Sequence, residues 1–374
     1  KKHKSKKNQI IFDDIKVKND KVIENIINNF LVRKDSFIFE SVEKQKIKGR
    51  YTIIGLNPDK IWEFNNKQIH LIENKKKKLI KKRPYTYLKK LIQDFKFPTP
   101  KGLPPLTSLL VGYFSYDIIR YIENIPNKCI NDLKIPDVRL IRPKILIIYD
   151  NYIKKIYFII NCFGDEKIKN YQKYLINQIE KIKVLKKIAQ NENIIKRKLV
   201  KRSRKSSIKS NISKNNFKNI VNRAKKYIKK GDIFQVVLSQ RFETKLTKSP
   251  LEIYKKLRLA NPSPFMFFFN FKDFQIIGSS PEILVRLRNN NITIRPIAGT
   301  RPRGKNIKMD KFYKKQLLND KKELSEHLML LDLGRNDVGK VAKINSVKVT
   351  EKFKIEKYSH VMHIVSNIEA KFNK

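Results

Sequence analysis

The stretch that decides the fold runs Phe265-Met-Phe-Phe-Phe-Asn-Phe-Lys-Asp-Phe-Gln-Ile-Ile-Gly-Ser-Ser-Pro-Glu-Ile-Leu-Val-Arg-Leu-Arg-Asn-Asn-Asn-Ile-Thr-Ile-Arg295. It holds four closely spaced segments rich in strand-forming residues, which we predict as strands: Phe265–Phe269, Phe274–Gly278, Ile283–Leu287 and Asn291–Arg295. Connections this short favour antiparallel pairing, because parallel strands need a crossover of a dozen residues or more. The stretch therefore predicts an antiparallel sheet.

Helical patterns lie on both sides of this stretch. Apolar residues from Phe217 to Ile228 share one helical face, and Gly231 follows where a glycine ends a helix. Ser249-Pro-Leu-Glu252 matches a capping box with proline at the first helical position. A further apolar helix spans Leu324 to Val338. Strands and helices together predict an α+β fold with large antiparallel sheets.

The amino-terminal half predicts further strands, at 36–41 and 51–55 and as a hairpin at 145–160. The lysine-rich run Lys75–Arg83 is interpreted as a solvated turn. A basic, polar and aperiodic segment at Lys196–Ser207 is typical of a linker. We therefore divide the chain into an amino-terminal region 1–189, a linker 190–213 and a carboxy-terminal region 214–374.

The net charge of +51 raises the question of nucleic-acid binding. The lysines are spread over loops, helix faces and strand ends, and Lys, Asn and Ile are abundant together, as A+T-rich coding sequence produces. Nucleic-acid binding is therefore not favoured. The sequence contains no run of about 18 apolar residues, so no membrane span is predicted. With two isolated cysteines and no apolar leader, we expect a reducing cytoplasm.

Three motifs carry candidate chemistry: Pro296-Ile-Ala-Gly-Thr-Arg-Pro-Arg-Gly304, Glu326-His-Leu-Met-Leu-Leu-Asp-Leu-Gly-Arg-Asn-Asp337 and Tyr358-Ser-His-Val-Met-His363. Backbone N–H groups at the glycines of the first motif can approach an anion, and its arginines add positive charge. A carboxylate such as that of Glu326 can hold Mg²⁺ together with substrate oxygens. The motifs therefore indicate a site for a small anion and a metal ion.

Single residues leave alternatives open. Glu282 follows a proline turn beside predicted strands. Either desolvation at that turn raises the pKa of its carboxyl, or the residue is an ordinary surface glutamate. Glu326 holds a metal or pairs with a lysine, and His363 acts on a substrate or is a hydrogen-bonded core residue. Gln235 lies in the predicted strand Ile233–Ser239, where its amide needs partners and so favours a polar cavity.

Taken together, the segments resemble the chorismate-utilising enzymes, and most closely their anthranilate synthase branch. The resemblance covers almost the whole chain and includes the three motifs above. The other family segments are Phe39-Glu-Ser41, Gly49–Pro58, Val111–Asp117, Gly231–Gln240, Asn261–Met266 and Gly278-Ser-Ser-Pro-Glu282. The resemblance implies a sandwich of large mixed or antiparallel sheets flanked by helices.

The resemblance also implies an activity in the pathway to tryptophan. Ammonia, supplied by a glutamine amidotransferase subunit, adds to chorismate, and pyruvate is eliminated to yield anthranilate. Glu282 resembles the acid that protonates the departing hydroxyl, and His363 resembles the histidine of the elimination step. Glu326 matches a ligand of the cofactor Mg²⁺. Gly299 and Thr300 line the chorismate pocket.

Two neutral residues favour ammonia as the nucleophile. Gln235 stands where water-using relatives carry a lysine base, and neutral ammonia needs no such base. Ala298 stands where the related aminodeoxychorismate synthases of the folate pathway carry a nucleophilic lysine. That folate-pathway enzyme is the alternative reading, and a non-catalytic remnant that binds tryptophan or the amidotransferase is another.

The resemblance implies a feedback site for L-tryptophan as well, formed by residues of two separate segments: Glu40, Ser41, Pro264, Phe265 and Met266. Family members continue beyond the region that corresponds to Lys374, with further residues for the substrate and for Mg²⁺. We therefore expect the polypeptide 1–374 to be incomplete and inactive by itself.

Overall fold

The computed structural model describes residues 8–18, 21–42, 49–95, 97, 99–166, 168, 170–190, 207–271, 273–358 and 360–373. The chain forms two compact units. Unit 1 comprises residues 1–194 and 254–374, and unit 2 comprises residues 195–253. Most of the predicted linker lies outside the described residues. The boundaries of these two units differ from those of the three predicted regions, and the division into three regions remains a prediction.

The described residues of both units form seven α-helices and seventeen strands. The helices are α1 Lys21–Phe30, α2 Pro84–Asp94, α3 Tyr171–Gln190, α4 Lys214–Lys230, α5 Pro250–Ala260, α6 Ile307–Asn319 and α7 Lys321–Gly339. The strands are β1 Gln9–Lys16, β2 Ser36–Glu40, β3 Tyr51–Asn65, β4 Gln68–Glu73, β5 Lys76–Ile80, β6 Val111–Phe114, β7 Val138–Asp150, β8 Lys155–Cys162, β9 Lys209–Ser210, β10 Phe242–Glu243, β11 Phe265–Asn270, β12 Gln275–Ser280, β13 Arg286–Arg288, β14 Asn291–Ile294, β15 Ile297–Pro302, β16 Lys348–Lys357 and β17 Val361–Lys371. This content confirms the α+β fold.

Ten of the described strands form one antiparallel sheet in unit 1, here called the large sheet. Its main path runs β1-β8-β7-β3-β2-β11-β12, while β4, β5 and β6 extend it beside β3 and β7. Its interior is apolar on both sides of β7 and β8, whose residues Leu146, Ile148 and Ile159 are fully buried. The Phe37 ring fills the space over Gly55, where a Cβ atom would lie 2.0 Å from the ring. Side-chain volume therefore fixes how β2 lies against β3.

Strands β13 to β17 form a second antiparallel sheet in the described part of unit 1, here called the small sheet. Its order is β13-β14-β17-β15, with β16 on the other side of β17. Helices α6 and α7 cover one face, where Leu317 packs with Ile364 and Leu331 packs with Ile368. A Cβ atom at Gly334 would lie 2.7 Å from the Ile368 side chain. Glycine thus lets α7 approach β17 closely.

The helix boundaries predicted at Gly231 and at the Ser249–Glu252 capping box are confirmed. The Ser213 side chain caps α4 by accepting a hydrogen bond from the Asn216 N–H, and Gly231 ends that helix with φ of +79°. The Ser249 hydroxyl and N–H both donate to the Glu252 carboxylate, which is the predicted capping box. Local side-chain chemistry therefore determines these helix ends.

Three predicted segments differ from the structure. Residues 233–239 do not form a strand: no described strand pairs with them, and the Phe234 and Val237 side chains are 85% and 86% exposed. The predicted strand 283–287 is reduced to β13, because only Arg286–Arg288 find partners on β14. The lysine run, predicted as a turn, contains the edge strand β5, whose lysines face solvent. Pairing partners, which propensity cannot supply, decide each case.

Two further expectations concern membrane spans and the state of the two cysteines. None of the described helices is both long enough and apolar enough to cross a membrane. Cys129 is exposed and Cys162 is buried, and both carry free thiols.

Candidate active site

The candidate site lies where β15 and β17 pair in the small sheet. Thr300 of β15 stands directly opposite His363 of β17. A bulge between Ala298 and Thr300 shifts the register, so that Gly299 has no partner of its own in the ladder. The third sequence motif therefore meets the first one in space, as the resemblance implies.

The bulge turns the Gly299 carbonyl toward the histidine. Gly299 has φ of +70°, a conformation that favours glycine, and an added Cβ would lie 3.1 Å from Leu317. The His363 Nδ1 atom lies 2.9 Å from the Gly299 carbonyl oxygen and 3.1 Å from the Thr300 hydroxyl. Ala298, before the bulge, is buried and faces Ile364 in the ladder. Gly299 and Thr300 thus hold the imidazole from one side.

Glu282 enters the same site from the turn after β12. Its N–H donates to the Ser280 hydroxyl at 3.4 Å, and that hydroxyl donates to the Glu282 carbonyl at 3.2 Å. Although the residue keeps an exposed surface, desolvation raises the pKa of its carboxyl, and the nearby His363 opposes that rise. The raised pKa is the direction predicted from the sequence. It prepares the carboxyl to hold a proton and donate it.

Helix α7 brings two carboxylates to the edge of this region. Asp320 caps the helix by accepting from the Lys322 and Glu323 N–H groups, and Arg301 of β15 binds Asp320 at 2.7 Å and Glu323 at 3.3 Å. Glu326 is half-buried, one helical turn after Glu323. Arg301 therefore fixes the start of the helix that carries both glutamates relative to β15.

These glutamates fit the needs of Mg²⁺. That ion ordinarily takes one or two protein carboxylates, with substrate oxygens and water completing its octahedron. Glu326 lies on the same helix face as Glu323, whose Oε2 atom would be 3.2 Å from a Cβ at Gly299. The Glu323 carboxylate is thus adjacent to the backbone that holds His363, and Glu326 follows it one helical turn later.

A second arginine clamp holds the hairpin turn before His363. Arg303 donates to both carboxylate oxygens of the buried Asp310, at 2.8 to 3.2 Å, and to the Tyr358 carbonyl at 2.6 Å. The Gly304 N–H and Lys357 also donate to Asp310. Hydrogen bonds from Arg303 and Gly304 hold the pKa of this carboxyl well below its usual range. Asp310 therefore remains an anion that ties α6 to the β16–β17 turn.

Gln235 belongs to unit 2, and its side chain is exposed in extended chain. The prediction that it lies within a strand is wrong, because the segment has no partner among the described strands. Its proposed place beside the substrate remains a prediction.

The residues predicted to bind tryptophan lie together in the large sheet. Met266 stands opposite Glu40 in the β2–β11 ladder, and Pro264 and Phe265 precede it. The Glu40 carboxylate is buried, receives a hydrogen bond from the Tyr254 hydroxyl and lies 2.9 Å from the Arg258 guanidinium. Ser41, Pro264 and Phe265 keep exposed surface. Within this set, Glu40 holds the strand in place, Met266 is buried, and Ser41, Pro264 and Phe265 present a surface.

Sequence reasoning missed the supporting residues Glu323 and Tyr358. Glu323 could have been found from the Glu-x-x-Glu spacing 323–326, which places two carboxylates on one helix face. Tyr358 opens the third motif, but its supporting role could not be predicted, because its ring meets the His363 ring across a turn, with ring centroids 5.5 Å apart. Contacts across a turn depend on strand register, which the residue types do not show.

Comparison with known proteins agrees with this geometry. The family model described as chorismate binding enzyme matches residues 34–374. Anthranilate synthase component 1 of Cereibacter sphaeroides is 39% identical over 370 residues, which cover 98% of this chain and 74% of that protein. The component 1 of Acetivibrio thermocellus is 40% identical over 342 residues, covering 89% of this chain and 68% of that protein.

Solved structures are similar as well. Anthranilate synthase component I from Streptococcus pneumoniae TIGR4 superimposes with a TM-score of 0.74 at 31% identity, covering 89% of this chain and 71% of that one. The menaquinone-specific isochorismate synthase from Escherichia coli matches with a TM-score of 0.62 at 14% identity, covering 100% of this chain and 74% of that one. The latter similarity concerns the fold alone.

Proposed function

The chain belongs to the chorismate binding enzymes, and we propose that it is the aminating component of an anthranilate synthase. In this proposal, chorismate and ammonia are converted into anthranilate, pyruvate and water. The relatives named anthranilate synthase component 1 support this choice, at 39% to 40% identity over most of the chain.

One observation carries the proposal. The Glu282 carboxyl, whose pKa is raised by desolvation, lies close enough to His363 to interact with it electrostatically. The imidazole is held by Gly299 and Thr300 on the paired strand. A carboxyl with a raised pKa and a held imidazole within electrostatic reach of it are the two kinds of group that an addition followed by an elimination requires.

Glu282 acts in the first half of the proposed reaction. Ammonia forms a bond to the ring carbon next to the one that carries the carboxylate. The bond from the ring to the hydroxyl breaks, and the Glu282 proton goes to the departing oxygen, which leaves as water. Desolvation raises the pKa of the Glu282 carboxyl, and this favours its role as the proton donor.

His363 acts in the second half. The imidazole takes the proton from the ring carbon that now carries the amine. The electrons of that C–H bond restore the aromatic ring as the bond to the enolpyruvyl oxygen breaks, and the leaving group takes up a proton to become pyruvate. A neutral imidazole is suited to this transfer because one of its ring nitrogens carries a lone pair that can accept the proton.

Glu326 would hold Mg²⁺, with Glu323 beside it on α7. When bound, the ion supplies Lewis-acid polarisation of the substrate carboxylate and a template that orients the ring. Arg301 supports this arrangement because it fixes the α7 amino terminus relative to Thr300.

The neutral residue at position 298 supports the choice between related activities. Ala298 is buried and offers no amine with which to form a covalent intermediate, as the folate-pathway alternative would need. Gln235 plays no part as a base in this proposal, since ammonia is already a nucleophile.

Three further parts of the proposal concern partners and regulation. The component 1 naming of the relatives implies a partner component, and in this proposal that partner is a glutamine amidotransferase subunit that supplies the ammonia. L-tryptophan binds at Ser41, Pro264, Phe265 and Met266, whose strand Glu40 supports. The free thiols of Cys129 and Cys162 accord with a reducing cytoplasm.

Anthranilate fluorescence and thermal unfolding test the proposal together. The protein is mixed with chorismate, Mg²⁺ and ammonium, and its melting temperature is recorded with and without chorismate. Turnover that Glu282→Gln abolishes supports the proposal. A melting shift without turnover supports chorismate binding alone. The absence of both a chorismate-dependent melting shift and turnover would overturn the proposal.

A further inference from the structure

The imidazole of His363 has a defined protonation pattern in its neutral form. Its Nδ1 atom lies 2.9 Å from the Gly299 carbonyl oxygen, and a carbonyl oxygen only accepts hydrogen bonds. An unprotonated Nδ1 would face that oxygen with a lone pair at hydrogen-bond distance. Nδ1 therefore carries the hydrogen, and Nε2 carries the lone pair.

Tyr358 contacts the same imidazole through its ring. The two rings meet edge to face, with centroids 5.5 Å apart and planes at 62°. Such a contact limits rotation of the imidazole plane, and the hydrogen bond to Gly299 needs that plane to stay aligned. The tyrosine ring thus supports the same protonation pattern.

Tyr358 is in turn anchored at both ends. Its hydroxyl donates to the Glu356 carboxylate at 2.9 Å, and Arg295 binds the other oxygen of that carboxylate. Its backbone carbonyl accepts from Arg303 at 2.6 Å, and its N–H donates to the Val361 carbonyl at 2.8 Å. The ring that packs on His363 is therefore fixed by a chain of ionic hydrogen bonds.

We propose that Tyr358 is a positioning residue, which Glu356 and Arg295 hold against His363. It keeps the imidazole as the Nδ1–H tautomer, so that Nε2 is the atom that receives the proton in the elimination step. The inference rests on the proposed function for the identity of that step. The placement of the tautomer rests on geometry alone.

Ring-¹⁵N histidine labelling reads the tautomer directly. Spectra are recorded about two pH units above the ordinary imidazole pKa of about 6.5, where histidines are neutral. The chain has five histidines, and His363→Gln identifies the relevant signal. We expect His363 to be protonated at Nδ1. Protonation at Nε2 would overturn the proposal whether or not the protein turns over.

Tyrosine variants test the positioning role. In Tyr358→Leu the imidazole loses the contact that keeps it aligned with the Gly299 carbonyl. We therefore expect the ratio of Nδ1–H to Nε2–H forms at His363 to fall about fivefold, which corresponds to the net free energy of one hydrogen bond. Tyr358→Phe keeps the ring but loses the Glu356 bond, so a smaller fall is expected. Tyr116→Leu, at a side chain 86% exposed, is the matched control and leaves the ratio unchanged. An unchanged ratio in both Tyr358 variants would contradict the proposal.

The reaction itself gives a second readout. A misplaced His363 slows pyruvate elimination and leaves the amination step intact, so Tyr358→Leu is expected to accumulate the aminated intermediate about tenfold over the unsubstituted protein. Chromatography of quenched reactions measures it. Equal slowing of both steps would indicate a merely structural role and would overturn the proposal. Where the leucine variant does not fold, Tyr358→Phe carries both measurements.

Discussion

The large sheet and the small sheet of unit 1 use charge in different ways. In the large sheet, arginines are enclosed: Arg139 is 3% exposed and pairs with Glu63, while Arg142 is 7% exposed and pairs with Asp59. In the small sheet, arginines 295, 301 and 303 surround the candidate site and stay partly exposed. The arginines of the large sheet are packed among apolar residues, whereas those of the small sheet lie near residues with proposed chemical roles.

This difference shows which part of the molecule provides stability and which provides placement. The large sheet buries long apolar strands, so removal of a core side chain costs transfer and cavity free energy. The small sheet buries mainly one face of β17, and most of β16 remains exposed. Its arginine clamps hold helix ends and turns whose positions matter for Glu282, Glu326 and His363. Substitutions in the two sheets should therefore separate loss of stability from loss of activity.

The largest expected effect is that of Glu282→Gln. Loss of a general acid lowers the rate by about 10²–10⁴-fold, and the exposed turn at 282 contributes little to stability. Anthranilate formation is measured in an assay where the unsubstituted protein turns over, with urea unfolding in parallel. Glu180→Gln, on the exposed face of α3, is the control. A variant with near-normal rate would remove Glu282 from the proposed mechanism.

Phe37→Ala should lower the stability of the fold, in contrast to the loss of reaction rate expected for Glu282→Gln. The ring is fully buried and fills the space over Gly55, so we expect a loss of about 3–5 kcal/mol in the free energy of unfolding. Urea unfolding at 25 °C measures this loss. Phe12→Ala, at a ring 47% exposed, should cost less than about 1 kcal/mol. Equal costs for the two phenylalanines would contradict the view that burial in the large sheet stabilises the protein.

Glu326→Gln should change metal dependence with little change in stability. An amide is a weaker ligand for Mg²⁺ than a carboxylate, and we expect the apparent affinity for Mg²⁺ to fall by at least about tenfold. Calorimetric titration with Mg²⁺ in the presence of chorismate measures it. Glu351→Gln, which removes an exposed carboxylate of β16, is the control. Unchanged Mg²⁺ affinity would exclude Glu326 as a ligand.

The smallest effect concerns acid stability of the large sheet. Burial alone would raise the pKa of Asp165, but hydrogen bonds from Arg142 and Lys60 outweigh it and lower the pKa to about 2. A carboxyl with a depressed folded-state pKa stabilises the fold above its unfolded pKa of about 3.9. That contribution is lost as the pH falls through about 2.

Asp165→Asn should therefore flatten the dependence of unfolding free energy on pH between about 4 and 2. The change is modest because the side chain is 47% exposed. Urea unfolding at several pH values measures it, with Asp337→Asn as the control at an exposed carboxylate. Identical slopes in the two variants would show that Asp165 has no special role.

Much of the fold could be predicted where local chemistry decides it. Gly231 and the Ser249–Glu252 box mark helix ends through interactions between residues close in sequence, and the structure has those ends. The strand predicted at 233–239 failed because a strand needs a partner, and β propensity mainly reports a fit to a paired, half-buried surface.

The candidate site divides in the same way. Residue types, motif order and the resemblance to the chorismate-utilising enzymes together predicted Glu282, Thr300, Glu326 and His363 as site residues. The bulge at Gly299 and the contact of Tyr358 with His363 could not be read in advance. Both depend on the register of β15, β16 and β17, since a shift by one residue turns every side chain to the other face.

The sequence by itself determined the chemical identity of this protein: which carboxylates and which histidine are present, that positions 235 and 298 are neutral, and where helices begin and end. Only the tertiary structure decided that the Gly299 carbonyl meets His363 Nδ1, that desolvation raises the pKa of Glu282 beside that histidine, and that Arg295, Glu356 and Tyr358 support its ring. The physical reason is range. Capping and side-chain chemistry act between neighbours along the chain, whereas desolvation and orientation arise from residues that lie far apart along it and meet only in the fold.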